Sequence, residues 1–206
     1  LIAAIFFGIL TNAFAEFYFD NRECQHEAMK NFNLEKYLKI GHAYVTHSKD
    51  KINSEFCREL NSTKLSNGTI KTIVENYEDI FGDTLHYTMY CNSKQKNGEK
   101  GEFSYECNNF NDPKESPDDN YEQYTSVIDT DYTTYAILYW CTRMHKGLVT
   151  VYNILVLKTD KNAGDDIIKT SLQSKGMEFD KFFSSDNTYC DKAKKEGKKG
   201  EGKKET

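Results

Sequence analysis

Seven short runs rich in β-branched and aromatic residues, each closed by turn residues, constrain this chain more than any other feature. They read HAYVTHSK, TIKTIVENYE, TLHYTMYC, GEFSYEC, YEQYTSVID, TYAILYWCT and LVTVYNILVLK, and they fall between residues 42 and 158. Turns rather than helices separate them, so the pattern predicts an antiparallel meander of seven or eight strands. Such a meander closes into an up-and-down barrel, which removes the exposed edges, or divides into a sandwich. The runs alone do not choose between the two.

The stretch TIVENYEDIFGDTLHYTMYC, residues 72–91, reads as two strands around Phe81-Gly82-Asp83. Alternation puts Thr72, Val74 and Asn76 on one face of the first strand, and Leu85, Tyr87 and Met89 on one face of the second. If that face is interior, an Asn and a Tyr stand among apolar residues. The chain holds 14 Tyr, and tyrosine offers an apolar body with a hydroxyl tip that suits a polar organic ligand. After the last strand the period changes. In DKNAGDDIIKTSLQSKGMEFDKFF, Ile168, Leu172, Phe179 and Phe183 recur at helical spacing and Asp165 or Asp166 can serve the N-terminus, which predicts one helix. Asn108 to Asn120, with two prolines and several acids, predicts an exposed loop.

The beginning, LIAAIFFGILTNAFA, is an uncharged apolar run ending in the small-x-small pattern Ala13-Phe14-Ala15. It reads as a signal peptide over 1–15, lacking the Met and basic residues that open one, and it is shorter than the roughly 20 residues a membrane span needs. The expectation is a secreted, extracellular, monomeric protein with one globular domain over 16–191. The last fifteen residues, KAKKEGKKGEGKKET, carry seven Lys against three Glu. They predict a flexible tail over 192–206, either solubilising or making weak contact with an anionic surface. The whole chain has a net charge of −5, so the tail's +4 leaves −9 for the body. An acidic body argues against nucleic acid as a partner.

Six cysteines in a secreted chain predict disulfides rather than a metal centre or a nucleophile. Cys91 and Cys107 flank the turn at Asn97-Gly98 almost symmetrically, as a hairpin bridge would. Cys24, Cys57, Cys141 and Cys190 then form two long-range bridges whose pairing the spacing leaves open. Asn61-Ser62-Thr63 and Asn67-Gly68-Thr69 are glycosylation acceptors in what reads as a polar loop. No P-loop, GxSxG, HExxH or GxGxxG motif is present. His26, His42, His47, His86 and His145 are scattered, with no pair at the i, i+4 spacing of a helical metal site. The sequence therefore reads as a binding protein, not an enzyme, with no catalytic or metal-ligating residue to nominate.

The segments NFNLEKYLKIGHAYVTHSKD, Phe56-Cys57, CTRMHKG, KTDKNAGDD and MEFDKFFSSDNTYC resemble the nitrophorins and related salivary lipocalins of blood-feeding triatomine bugs. The resemblance runs from Cys24 to Cys190. It implies an all-β fold, an eight-stranded antiparallel up-and-down lipocalin barrel with a C-terminal α-helix. It also implies the pairs Cys24–Cys141 and Cys57–Cys190, with Cys91–Cys107 as an extra bridge. Two departures stand out. The lipocalin G-x-W signature survives only as Gly41-His42-Ala43, and Trp140 lies in another strand. Asn76 stands where the resemblance places the axial His of the haem-carrying members, and Asn is a poor iron ligand. No haem or other cofactor is expected.

Alternation and the resemblance together nominate Phe56, Val74, Asn76, Leu85, Tyr87, Tyr124, Ser126, Leu138, Trp140, Thr142, Val151 and Asn153 as cavity lining. Tyr132 and Tyr135 are placed near the mouth as lid residues, and Arg143 as a cation at the polar end. The function the resemblance implies is sequestration of a small host mediator of haemostasis or inflammation: a biogenic amine or a cysteinyl leukotriene, with ADP third. The alternatives are a loop-mediated inhibitor of a clotting protease or platelet receptor, and a haem or nitric oxide carrier.

Overall fold

The computed structural model describes residues 24–51, 56–80, 82–93, 100–109, 121–144, 147 and 149–201. The expected signal segment lies outside the described residues, as do residues 110–120 of the expected loop. Eight antiparallel strands follow one another: β1 (His42–Ser48), β2 (Phe56–Lys64), β3 (Ile70–Ile80), β4 (Asp83–Ser93), β5 (Glu102–Asn109), β6 (Tyr121–Thr130), β7 (Tyr135–Met144) and β8 (Val149–Lys158). Each pairs with the next, and β1 pairs with both β2 and β8. That double pairing closes the sheet, so the fold is a barrel and not a sandwich. The strand absent from the seven sequence runs is β2. Asn61 accordingly sits exposed in a strand, opposite His42 and Ile73, and only Asn67 lies in the β2–β3 turn.

The antiparallel order fixes what lies at each end. At one end are the start of β1, the β2–β3 and β6–β7 turns, the end of β4 and the start of β5; at the other are the ends of β1, β3, β5 and β7. The first end is plugged. A short helix, α1 (Leu34–Tyr37), is capped by the Asn33 side chain, and Phe32, Leu34, Tyr37, Leu38 and Ile40 pack onto the apolar residues inside the barrel. Gly101 makes room for this plug: at φ +79°, a Cβ there would stand 3.1 Å from Phe32 and 3.2 Å from Ala28.

Helices cover two outer faces. α2 (Asp166–Ser174) buries Ile168 and Leu172 against Ile128, Ile137, Tyr139 and Val156. The single helix expected through Phe183 stops at Ser174, because Gly176 turns the chain with φ +73°. Phe179–Lys181 forms a 3-10 turn, and β9 (Phe183–Ser184) pairs with β1. Phe183 is 47% exposed and is not the buried helical position its spacing suggested. α3 (Asn187–Glu201) then lies on β2 and β3, burying Cys190 and Ala193 against Cys57 and Tyr77. The Lys/Gly-rich residues expected as a flexible tail from residue 192 are therefore helical as far as Glu201.

The three disulfides are Cys24–Cys141, Cys57–Cys190 and Cys91–Cys107. The first two span 117 and 133 residues, so they restrict the unfolded chain more than the third, which spans 16.

Candidate functional site

Inside the barrel the side chains of β2 and β3 alternate as strands require, and the inward set of these strands includes Phe56, Arg58 and Leu60 facing Val74, Asn76 and Glu78. Arg58 is the residue that organises the half of the interior away from α1. Its Nε donates to the Asn76 side-chain oxygen, and a terminal nitrogen donates to Glu78 Oε1 at 3.1 Å. The Tyr87 hydroxyl donates to the same Glu78 oxygen at 2.8 Å. The guanidinium lies over the Trp140 ring, 5.1 Å from its centroid, a cation–π arrangement. Trp140 Nε1 in turn donates to Thr142 Oγ1 at 2.8 Å.

This network is shielded from solvent. The side chains of Arg58 and Glu78 are 12% and 10% exposed, and Asn76 is fully buried. Burial raises the Tyr87 phenol above its ordinary range, and Glu78 adds to the rise, so the hydroxyl remains a donor at neutral pH. An ion pair in such a place is a poor stabilising device, because apolar residues of similar volume are often as good or better. Its value lies in chemistry. A guanidinium has five N–H donors, and among the described residues two of those of Arg58 are engaged. Three remain for an acceptor.

Leu85 and Val151, inward positions toward the end away from α1, are 46% and 45% exposed. Deeper in, the Cys91–Cys107 bridge faces the interior with both cysteines fully buried. Its sulfurs lie 3.8 and 3.6 Å from the Gln123 side-chain oxygen. The bridge expected to pin a hairpin thus also forms part of the barrel's inner wall.

Ten of the twelve expected lining residues sit at inward positions: Phe56, Val74, Asn76, Leu85, Tyr87, Leu138, Trp140, Thr142, Val151 and Asn153. Asn153 has its side chain committed elsewhere. It accepts from the Asp50 N–H at 3.0 Å and donates to the Asp50 carbonyl at 2.9 Å, tying the chain after β1 to β8. Tyr124 and Ser126 face outward. In β6 the inward set is Gln123, Thr125 and Val127, opposite Thr142, Trp140 and Leu138. Tyr124 instead stands opposite Cys141, contacts Tyr139 and donates to the His26 carbonyl at 3.3 Å.

The lid residues are also displaced. Tyr132 lies at the plugged end, where its hydroxyl accepts from the Asn33 N–H at 3.0 Å. Tyr135 faces outward and donates to Asp129 at 3.1 Å beside α2, with burial raising its phenol to about 12. Arg143 is on the outer face opposite Glu122, in a surface cavity with Cys24 and Tyr124. The interior cation is Arg58. Its signal was present in FCREL: if Phe56 points inward, so does the residue two positions on. His86 lies on the outer face, paired with Glu75 at 3.0 Å and stacked on Tyr77. Among the described residues no group of His, Cys, Asp or Glu could hold a metal ion.

The sequence model of the Triabin family matches residues 17–172. Pallidipin of Meccus pallidipennis is 38% identical over 197 residues, which is 94% of this chain and 98% of that protein. A solved biogenic amine-binding protein superposes with a TM-score of 0.63 at 19% identity, over 82% of this chain and 93% of that one. A variant of LTBP1 solved with leukotriene C4 superposes with a TM-score of 0.56, also at 19% identity, over 78% and 90% of the two chains. At that identity the two structures share the fold with this chain, an eight-stranded closed lipocalin-type barrel.

Proposed function

The chain belongs to the triabin family, and from that membership we propose that it is a secreted salivary lipocalin that sequesters a small host mediator within its barrel. The ligand class this reading favours is an amphiphilic carboxylate of the leukotriene kind. The observation that carries it is the inward Arg58, fixed by Asn76 and Glu78 over Trp140, with donors to spare. A carboxylate is the group that a planar fork of N–H donors recognises best. The apolar interior around Phe56, Val74, Met89 and Leu138 suits the rest of such a molecule.

The other ligands fit this geometry less well. An ammonium group needs an unengaged carboxylate, and Glu78 already accepts from both Arg58 and Tyr87. ADP needs several positive groups, and Arg58 supplies one. For haem, Asn76 stands where the resemblance places the axial His, with its carbonyl held by Arg58 and its amide donating to the Val74 carbonyl at 3.3 Å.

The chain has one tryptophan, so fluorescence reads out the site directly. Titration of the disulfide-intact protein with leukotriene C4, serotonin, noradrenaline, ADP and haemin should give saturable one-to-one quenching with leukotriene C4. Arg58→Met should weaken that binding by about thirtyfold or more, the cost of losing a buried charged contact. Saturable binding of an amine, with silence from leukotriene C4, overturns the carboxylate assignment. Silence across the panel in calorimetry as well overturns sequestration and leaves a loop-mediated protein target.

A further inference from the structure

Among the described residues the interior holds one polar group that neither the fold nor the Arg58 network uses. Ser48, the last residue of β1, is fully buried, and its hydroxyl has no hydrogen-bond partner. Its direction follows from register. Val45 and Ser48 stand opposite Leu157 and Leu155, both of which lie in the interior apolar cluster, whereas His47 stands opposite Val156, which belongs to the outer cluster under α2. The irregularity between Val45 and His47 lets two residues that would otherwise alternate share the inner side. Ser48 therefore faces the barrel interior. A hydroxyl buried without a partner is unfavourable, and alanine at the same position would pack there without that cost.

The same register measures its separation from Arg58, which stands opposite Val45 on the neighbouring strand. Ser48 is three residues further from the α1 end, but the bulge makes these span only the two residues from Leu157 to Leu155 on β8, about 7 Å along the wall at the usual rise of a strand. Between them the interior surface is apolar, formed by Phe56 and Leu155. We infer that Ser48 is a second polar contact of the bound molecule, exchanging a hydrogen bond with a hydroxyl or carbonyl carried about 7 Å from the carboxylate that Arg58 holds. The inference rests on the carboxylate reading above and adds to it a residue, Ser48, that separates hydroxylated from plain fatty chains.

The test uses two probes that differ in one group: dodecanoate, and dodecanoate hydroxylated at mid-chain. Both are titrated by Trp140 fluorescence into the full disulfide-intact protein and into Ser48→Ala and Ser48→Thr. The unaltered protein should prefer the hydroxylated probe by about five- to tenfold, the worth of one net hydrogen bond. Ser48→Ala should erase the preference by weakening only the hydroxylated probe, and Ser48→Thr, which keeps the hydroxyl, should retain it. Equal affinity for the two probes in the unaltered protein, or a preference that survives in Ser48→Ala, overturns the role of Ser48 while leaving the carboxylate site standing. Failure of both probes, with leukotriene C4 also silent, overturns the carboxylate reading and this inference with it.

Discussion

The two ends of the barrel are built from the same eight strands and do opposite things with their interior. At the α1 end the inward side chains meet rings: Phe32 lies 5.3 Å from Tyr37 and 6.1 Å from Phe103, and Tyr37 lies 5.9 Å from Phe103. Burial pushes the Tyr105 phenol there up to about 12. At the other end the inward side chains meet charge: Arg58, Asn76, Glu78 and Tyr87 satisfy one another alongside half-exposed Leu85 and Val151. Aromatic closure contributes stability through area and ring contacts. A buried ion pair contributes little. The difference matches the proposed division, in which one end holds the barrel shut and the other carries the ligand.

Substitutions separate these roles. The largest effect is expected for Arg58→Met, which leaves Glu78 buried without its cation. Beyond the loss of ligand, stability in urea should fall by about 3–5 kcal/mol. Adding Glu78→Gln should recover most of that stability while binding stays lost. Recovery of binding in the double variant would remove Arg58 from the site. Next is Gly101→Ala at the plugged end. The left-handed backbone and the 3.1 Å approach to Phe32 predict a loss of about 2 kcal/mol, with leukotriene C4 affinity unchanged under conditions where the protein remains folded. A parallel loss of affinity would show that the two ends are not independent. Smaller again is Tyr132→Phe, which deletes the acceptor of the Asn33 N–H; about 1 kcal/mol should be lost, again without effect on binding.

Much of this was legible in the strand periodicity. Seven of the eight strands were visible because each carries β-branched or aromatic residues between turn signals. β2 was not, since FCRELNSTK is two-thirds polar and its Asn-Ser-Thr stretch imitates a loop. The same polarity concealed Arg58, whose place on the inner face emerges only once β2 is paired with β3. Tyr124 and Ser126 misled in the opposite way. Alternation and the resemblance suggested an inward Tyr124, but the Cys24–Cys141 bridge sets the outer face of β7, and Tyr124, opposite Cys141, goes with it. Tyr132 could not be assigned to an end from local sequence, because that depends on how many strands precede the Asp131 turn. The expected flexible tail failed on its first residues because its lysines are good helix formers, and a bridge at Cys190 fixes the helix that contains them.

The smallest effect sharpens the comparison through pH. Asp131 sits in the β6–β7 turn at the plugged end, beside Tyr132. Burial alone would raise its carboxyl, but hydrogen bonds from the Thr134 hydroxyl and the Thr133, Thr134 and Tyr135 N–H groups outweigh it and hold the carboxyl at about 2. A carboxyl depressed in the folded state contributes stability that is present above its ordinary 3.8 and disappears as pH falls through the depressed value. The turn is partly open to solvent, so the contribution is reduced to under about 1 kcal/mol. Urea midpoints measured from pH 5 down to pH 2 should therefore fall more steeply for the unaltered protein than for Asp131→Asn. Parallel slopes would mean the carboxylate does not hold the turn. The Arg58 end should be indifferent to this substitution: leukotriene C4 affinity at neutral pH should match in the two proteins. A shift there would mean that the plugged end positions the site as well as closing the barrel.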